Sequence, residues 1–214
     1  MIELDVTLSK DDRVVVIHDD NLDRTSSGRG KVRQTPLEIL KTLDTGSWFD
    51  PSFSGETLPT LEEVLDLAGS SILINIEIKS SAWNPFFQNE AIERQIVRLV
   101  AEKQMQESVL ISSFQTGFLE RIVQLPHHPE VALISGQPVP QGIVETCKRL
   151  GGFSWHPCFQ SLEQNLIHQM HQAGIRIFPY TVNHAEDMLL LMNMGVDGIF
   201  TDDPSEMIRR MSSH

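Results

Sequence analysis

Two short stretches carry charge where strands seldom do. In "IELDVTL", Glu3 and Asp5 alternate with Ile2, Leu4 and Val6; in "INIEIK", Glu77 and Lys79 alternate with Ile76 and Ile78. Residues two apart on a strand face the same side. A charged side chain inside such an apolar run must be paired or bind a metal. Glu3, Asp5 and Glu77 could converge as hard oxygen ligands for Mg²⁺ or Ca²⁺, with Lys79 adding positive charge beside an anionic substrate. Each pair alone has a plainer reading: E-x-D as a solvated strand face, Glu77–Lys79 as a buried ion pair. Both pairs together, on strands of a barrel, favour the metal site.

His18 closes "RVVVIHDD", after four apolar residues and before Asp19, which could orient it. A histidine there suits general acid–base work; the plainer reading is a strand-end histidine held by a backbone hydrogen bond. His156 in "FSWHP" reads as packing, and His127 and His128, in a loop beside Pro126 and Pro129, are assigned no role. Trp155, Phe159 and Tyr180 could wall a pocket, although aromatics at strand ends more often fill a core.

The elements that must hold these residues alternate. Strands are expected at Ile2–Leu8, Val14–His18, Ile72–Lys79, Val109–Phe114, Val131–Ser135, Phe153–His156, Ile175–Val182 and Gly198–Thr201. Helical segments lie between them. Thr60 and Glu63 form a capping box ahead of "EEVLDLA", "AIERQIVRLVAEKQ" is amphipathic at helical spacing, and Gly174 and Gly195 sit where helices should stop. Strand and helix in repeated alternation argue for a parallel sheet with helical crossovers, closed or open. No GxGxxG follows the first strand, which leaves a dinucleotide site unsupported. Residues 20–58 break the rhythm: they are rich in Gly, Ser, Thr and Asp, with one short helix around Pro36–Leu43, and read as a functional excursion beyond the strand ends.

The chain has 214 residues, 40% hydrophobic and 21% charged, which is ordinary for a globular protein. Its formal net charge of −12 gives no footprint for nucleic acid and would repel anionic membranes. No apolar run approaches the ~18 residues of a membrane span. The two cysteines make no disulfide framework, and a reducing cytoplasm is the expected location.

Taken in order, "IELDVTLSKDDRVVVIHDDNLDRTSSGRG", "LDTGSWF", "LPTLEEVL", "INIEIK", "LISSF", "YTVN" and "GVDGIFTDDP" resemble the glycerophosphodiester phosphodiesterase family, especially its compact bacterial cytoplasmic members. The resemblance runs from Met1 to about Ile208. It implies an α/β TIM-type (β/α)8 barrel, with residues 20–58 inserted after the second strand, and divalent-metal-dependent hydrolysis of glycerophosphodiesters to sn-glycerol 3-phosphate and an alcohol. By motif it assigns Glu3, Asp5 and Glu77 to the metal, Lys79 to the phosphate and His18 to one of two catalytic histidines.

The family's other catalytic histidine lies in an H-R-G motif, followed by P-E-N-T, and neither motif occurs in these 214 residues. The expectation is a single, incomplete barrel domain over residues 1–214, lacking its first strand and helix. Either Met1 is an internal methionine of a longer protein, or the chain is a short form with impaired catalysis. The alternative, from a different class, is a non-catalytic truncated barrel that binds ligand or self-associates into a homo-oligomer through its open edge.

Overall fold

The computed structural model describes residues 1–84 and 91–211, in two compact units that divide at Glu130 and Val131. The first unit opens with β1 (Ile2–Leu8), whose alternation buries Leu4, Val6 and Leu8 and turns Glu3, Asp5 and Thr7 to the opposite face. The chain then reverses into β2 (Val14–Val16), paired antiparallel with Leu8 opposite Val14 and Val6 opposite Val16. This corrects the all-parallel expectation. The link between the two strands, Ser9 to Arg13, is far too short for a helical crossover, so only a hairpin can form.

β2 also ends before His18. Ile17 still donates to the Asp5 carbonyl at 3.0 Å, which carries the pairing one step further and delivers His18 beside β1. The excursion follows, with the short α1 (Leu37–Leu40), and has its own core of Val15, Ile17, Leu22, Val32, Leu40 and Leu58. Its ends meet again: Val16 donates to Pro59 at 2.9 Å, and Val15 bridges Thr60. Within it, the Asp44 carboxylate accepts from the backbone of Gly46, Ser47 and Gly55, and these contacts hold its pKa well below the usual carboxylate range.

α2 (Leu61–Ala68) starts on the expected capping box, in which Thr60 Oγ1 accepts from Glu63 N at 3.2 Å and Glu63 Oε2 accepts from Thr60 N at 2.8 Å. β3 (Ile74–Ile78) pairs parallel with β1 and with β4 (Val109–Ser113), in a register that sets Asp5 opposite Glu77 and Glu77 opposite Ser112. Ile74, Ile76 and Ile78 are fully buried, each side chain contributing about 1.5–3 kcal/mol. They lock the register that places the acids together. α3 (Ile92–Glu102) and α4 (Thr116–Ile122) bury Ile96, Val100, Phe118 and Ile122. They share the buried Glu93–Arg121 ion pair at 3.0 Å, and the Arg121 guanidinium lies 4.0 Å from the Trp83 ring centroid.

The second unit repeats the β/α rhythm: β5 (Glu130–Ser135), α5 (Ile143–Arg149), β6 (Ser154–Pro157), α6 (Gln164–Gln172), β7 (Arg176–Ile177), α7 (Ala185–Met194) and α8 (Pro204–Met211). β5, β6 and β7 pair in parallel. β7 is much shorter than the expected Ile175–Val182; past Ile177 only single backbone bonds reach β6 and the residues after it, from Phe178 to Trp155 and from Tyr180 to Pro157, both at 3.0 Å. Gly198–Thr201 forms no strand; Phe200 exchanges single backbone bonds with Pro179 and Val182 instead. Gly195 stops α7 in the left-handed region at φ 86°. Trp155 is fully buried and donates to Ser135 Oγ at 2.9 Å, which makes it core and no pocket wall. His156 is packing, as expected. It bonds Ser154 Oγ at 2.9 Å, lies edge-on to Phe178 and Phe200, and burial pushes its pKa down to about 3.

Candidate active site

Glu3 and Asp5 come from one face of β1, and Glu77 from the same face of β3; the parallel register does the rest. Ligand oxygens of all three lie within 4.8 Å of one another. Lys79, just past β3, places Nζ 3.2 Å from Asp5 Oδ1 and 3.7 Å from Glu77 Oε1. Glu3 keeps one side open to solvent, yet its carboxyl is pushed up to about 8, first by removal from water and then by the charges of Asp5 and Glu77. Glu77 is pushed up to about 7 by burial first and Asp5 next. Burial pulls Lys79 down, but Asp5 and Glu77 outweigh it and the ammonium is held more firmly than usual. One lysine does not neutralise three carboxylates at this spacing, and the cluster is short of positive charge.

Two further polar atoms belong to this floor and had no part in the sequence reading. Asn75 Oδ1 and Ser112 Oγ are buried with no hydrogen-bond partner among the described residues. Asn75 pairs in register with Glu3, and Ser112 with Glu77. Buried polar atoms without partners are uncommon in folded proteins. The signal for Asn75 was present, since it lies two residues before Glu77 on one strand face; Ser112 is indistinguishable in sequence from any buried serine. The oxygen-only donor set, its surplus negative charge and these orphan atoms fit a hard divalent cation.

His18 lies beside this cluster. Its Nδ1 is 2.7 Å from Asp19 Oδ1. Arg24 clamps the same carboxylate through Nε to Oδ2 at 2.6 Å and Nη2 to Oδ1 at 2.7 Å, and its guanidinium stands 5.7 Å from the Trp48 ring centroid. Arg24, then the His18 hydrogen bond, keep Asp19 well below the usual carboxylate range. An ionised acceptor requires a donor opposite it, which puts a proton on Nδ1 of His18. Among the described residues, Nε2 makes no protein hydrogen bond. His18, Asp19, Arg24 and Lys79 line one cavity of about 510 Å³. All five sequence-selected residues are thus brought into one neighbourhood; Arg24 was missed, because a bidentate clamp five residues away leaves no mark in periodicity.

The glycerophosphoryl diester phosphodiesterase family model matches residues 1–206. The chain belongs to the glycerophosphodiester phosphodiesterase family. It is 38% identical to a glycerophosphodiester phosphodiesterase of Caldanaerobacter subterraneus subsp. tengcongensis, over 97% of this chain and 84% of that one. A Bacillus subtilis glycerophosphodiester phosphodiesterase is 34% identical over 95% of this chain and 73% of its own. Among solved structures, an Oleispira antarctica phosphodiesterase in complex with the product sn-glycerol-3-phosphate matches with a TM-score of 0.86 at 28% identity, covering 98% of this chain and 84% of that one. The fold is therefore the α/β fold of the glycerophosphodiester phosphodiesterases, the TIM-barrel class that the motifs implied, and by family the chain is a phosphoric diester hydrolase. No helix among the described residues is long and apolar enough to cross a membrane.

Proposed function

We propose that the chain hydrolyses glycerophosphodiesters to sn-glycerol 3-phosphate and an alcohol, with Glu3, Asp5 and Glu77 as ligands of a divalent cation, Mg²⁺ or Ca²⁺. The observation that carries this reading is the carboxylate trio with Lys79 at its edge, beside a histidine whose free nitrogen is set by Asp19. When bound, the cation supplies Lewis-acid charge to the phosphoryl group. Lys79 donates to an equatorial phosphoryl oxygen and offsets the charge that grows there in the transition state. The Asp19 hydrogen bond fixes Nδ1 of His18 as the supported nitrogen, so protonated His18 delivers its other proton, from Nε2, to the departing alkoxide.

The second histidine that the family resemblance implies, on H-R-G, does not occur in these 214 residues. The expected turnover of the chain as given is low, by about 10²–10⁴-fold, for want of one acid–base partner. The test is release of sn-glycerol 3-phosphate from glycerophosphocholine with Mg²⁺ or Ca²⁺, by this chain and by one extended upstream with an H-R-G segment. Product from the extended chain, abolished by Glu77→Ala, supports the reading. No product from it under either metal defeats the reading, and robust turnover by the 214-residue chain defeats the expectation of impairment.

A further inference from the structure

The floor of the acidic cluster holds two polar atoms with no assigned part in the hydrolysis. Asn75 is 1% exposed and Ser112 is fully buried. Asn75 Oδ1 and Ser112 Oγ have no hydrogen-bond partner among the described residues. Buried polar side chains elsewhere are engaged: Ser113 Oγ donates to the Ile78 carbonyl at 2.9 Å, Ser135 Oγ accepts from Trp155 at 2.9 Å, and Glu93 meets Arg121. The one other orphan atom among the described residues, Arg94 Nε, lies on α3 and belongs to a side chain with other interactions. Polar atoms withdrawn from water and left unpaired cost stability, and here that cost falls beside one set of carboxylates.

The strand register says what these atoms face. Partners on parallel strands point to the same side of a sheet, with the strands ~4.8 Å apart. Asn75 is the partner of Glu3, while Glu77 has Asp5 on one side and Ser112 on the other. Asn75 also lies two residues before Glu77, on the same strand face. Glu77 is thus bordered by Asp5 and Ser112 in its own layer and by Asn75 in the layer below. An amide oxygen such as Asn75 Oδ1 can only accept. Its neighbours on this face are carboxylates, which also only accept once ionised, and the Lys79 ammonium is committed to Asp5 and Glu77. A cation is the partner that suits all of these oxygens at once. Mg²⁺ dehydrates reluctantly and is usually held by one or two carboxylates with several waters, whereas Ca²⁺ takes about 6–8 oxygens, amide carbonyls among them. Three carboxylates joined by an amide and a hydroxyl exceed what Mg²⁺ ordinarily uses.

We propose that Asn75 Oδ1 is a fourth protein ligand of the cation, that Ser112 Oγ steadies the Glu77 carboxylate, and that this widened oxygen set selects Ca²⁺ over Mg²⁺. The proposal rests on the cation site put forward above. The test is calorimetric titration of the 214-residue chain with Ca²⁺ and with Mg²⁺, beside thermal melting without metal. The unsubstituted chain is expected to bind Ca²⁺ more tightly. Asn75→Leu, which keeps the size of the side chain and removes its oxygen, should weaken Ca²⁺ binding by about tenfold or more and narrow the gap to Mg²⁺. Its metal-free melting temperature should hold or rise, because an unpaired buried amide is gone. Ser112→Ala should weaken Ca²⁺ binding by a smaller factor, and Asn75→Asp, which keeps an oxygen in place, should retain it. If Asn75→Leu does not fold, Asn75→Ala gives the same affinity comparison. A purely structural role for Asn75 would show the opposite pairing, a lower melting temperature with unchanged affinity, and would overturn the proposal. Tighter binding of Mg²⁺ than of Ca²⁺ would overturn it as well. Loss of binding in Glu77→Ala with none in Asn75→Leu leaves the carboxylate site standing and removes Asn75, whereas a chain that binds neither ion removes both.

Discussion

Glu3, Asp5 and Glu77 are a poor arrangement in the absence of a cation, and that is what makes them informative. Glu3 is raised from its ordinary 4.5 to about 8, and Glu77 to about 7. A carboxyl raised by folding holds its proton in the native state after the unfolded chain has lost it. The metal-free chain is therefore expected to lose stability as pH climbs from about 4.5 to about 8. Thermal denaturation across that range should show the decline, and Glu3→Gln should flatten it. Added Mg²⁺ or Ca²⁺ should raise the melting temperature more at pH 8 than at pH 5, because the cation competes with protons for the same oxygens. Calorimetric titration should find the affinity for that cation largely lost in Glu77→Ala; unchanged affinity would remove Glu77 from the ligand set. Asp19→Asn should lower kcat by one to two orders of magnitude with little change in KM, since it withdraws support from His18 without touching phosphate. The E-x-D and E-x-K spacings were enough to find the charged residues, because strand geometry makes alternate residues neighbours. They could not find Arg24 or Ser112, whose relevance depends on partners distant in the chain.

The excursion shows how a segment without periodicity can still be built firmly. Its hydrophobic residues are spaced irregularly, yet Leu22, Val32, Leu40 and Leu58 join Val15 and Ile17 of the hairpin in one cluster. Leu40 is fully buried, and Leu40→Ala is expected to cost about 2–4 kcal/mol, measurable by urea denaturation. Since that cluster includes Ile17, the residue before His18, the same variant should lower activity more than it lowers stability at 25 °C. Elements with a clean repeat were readable in advance: the isoleucines of β3, the amphipathic α3 and the capping box of α2. What escaped was pairing direction and strand length. β2 reads as another crossover strand until its five-residue link to β1 is counted, and the expected strand through Val182 keeps only isolated backbone bonds past Ile177.

The chain carries opposing pH sensitivities in its two units. In the first, the raised carboxyls of Glu3 and Glu77 favour low pH. In the second, His156 has been pushed from 6.5 down to about 3 by burial, so the unfolded chain takes up a proton that the folded one refuses as pH falls through that interval. Above about pH 4.5 two carboxyls act against one histidine, so metal-free stability should peak in acidic solution, near about pH 4.5–5, and His156→Gln should extend it toward acid; a denaturation series at fixed ionic strength would show whether it does. The excursion leaves at Val16 and returns at Pro59, and those two residues are hydrogen-bonded to each other. A segment whose ends already touch can be exchanged for another of different length without moving the strands that carry Glu3, Asp5 and Glu77. Residues 20–58 form a cassette, and exchanging it would replace Asp20, Asn21, Asp23 and Arg24, which line the cavity beside His18, while the acidic cluster stays in place.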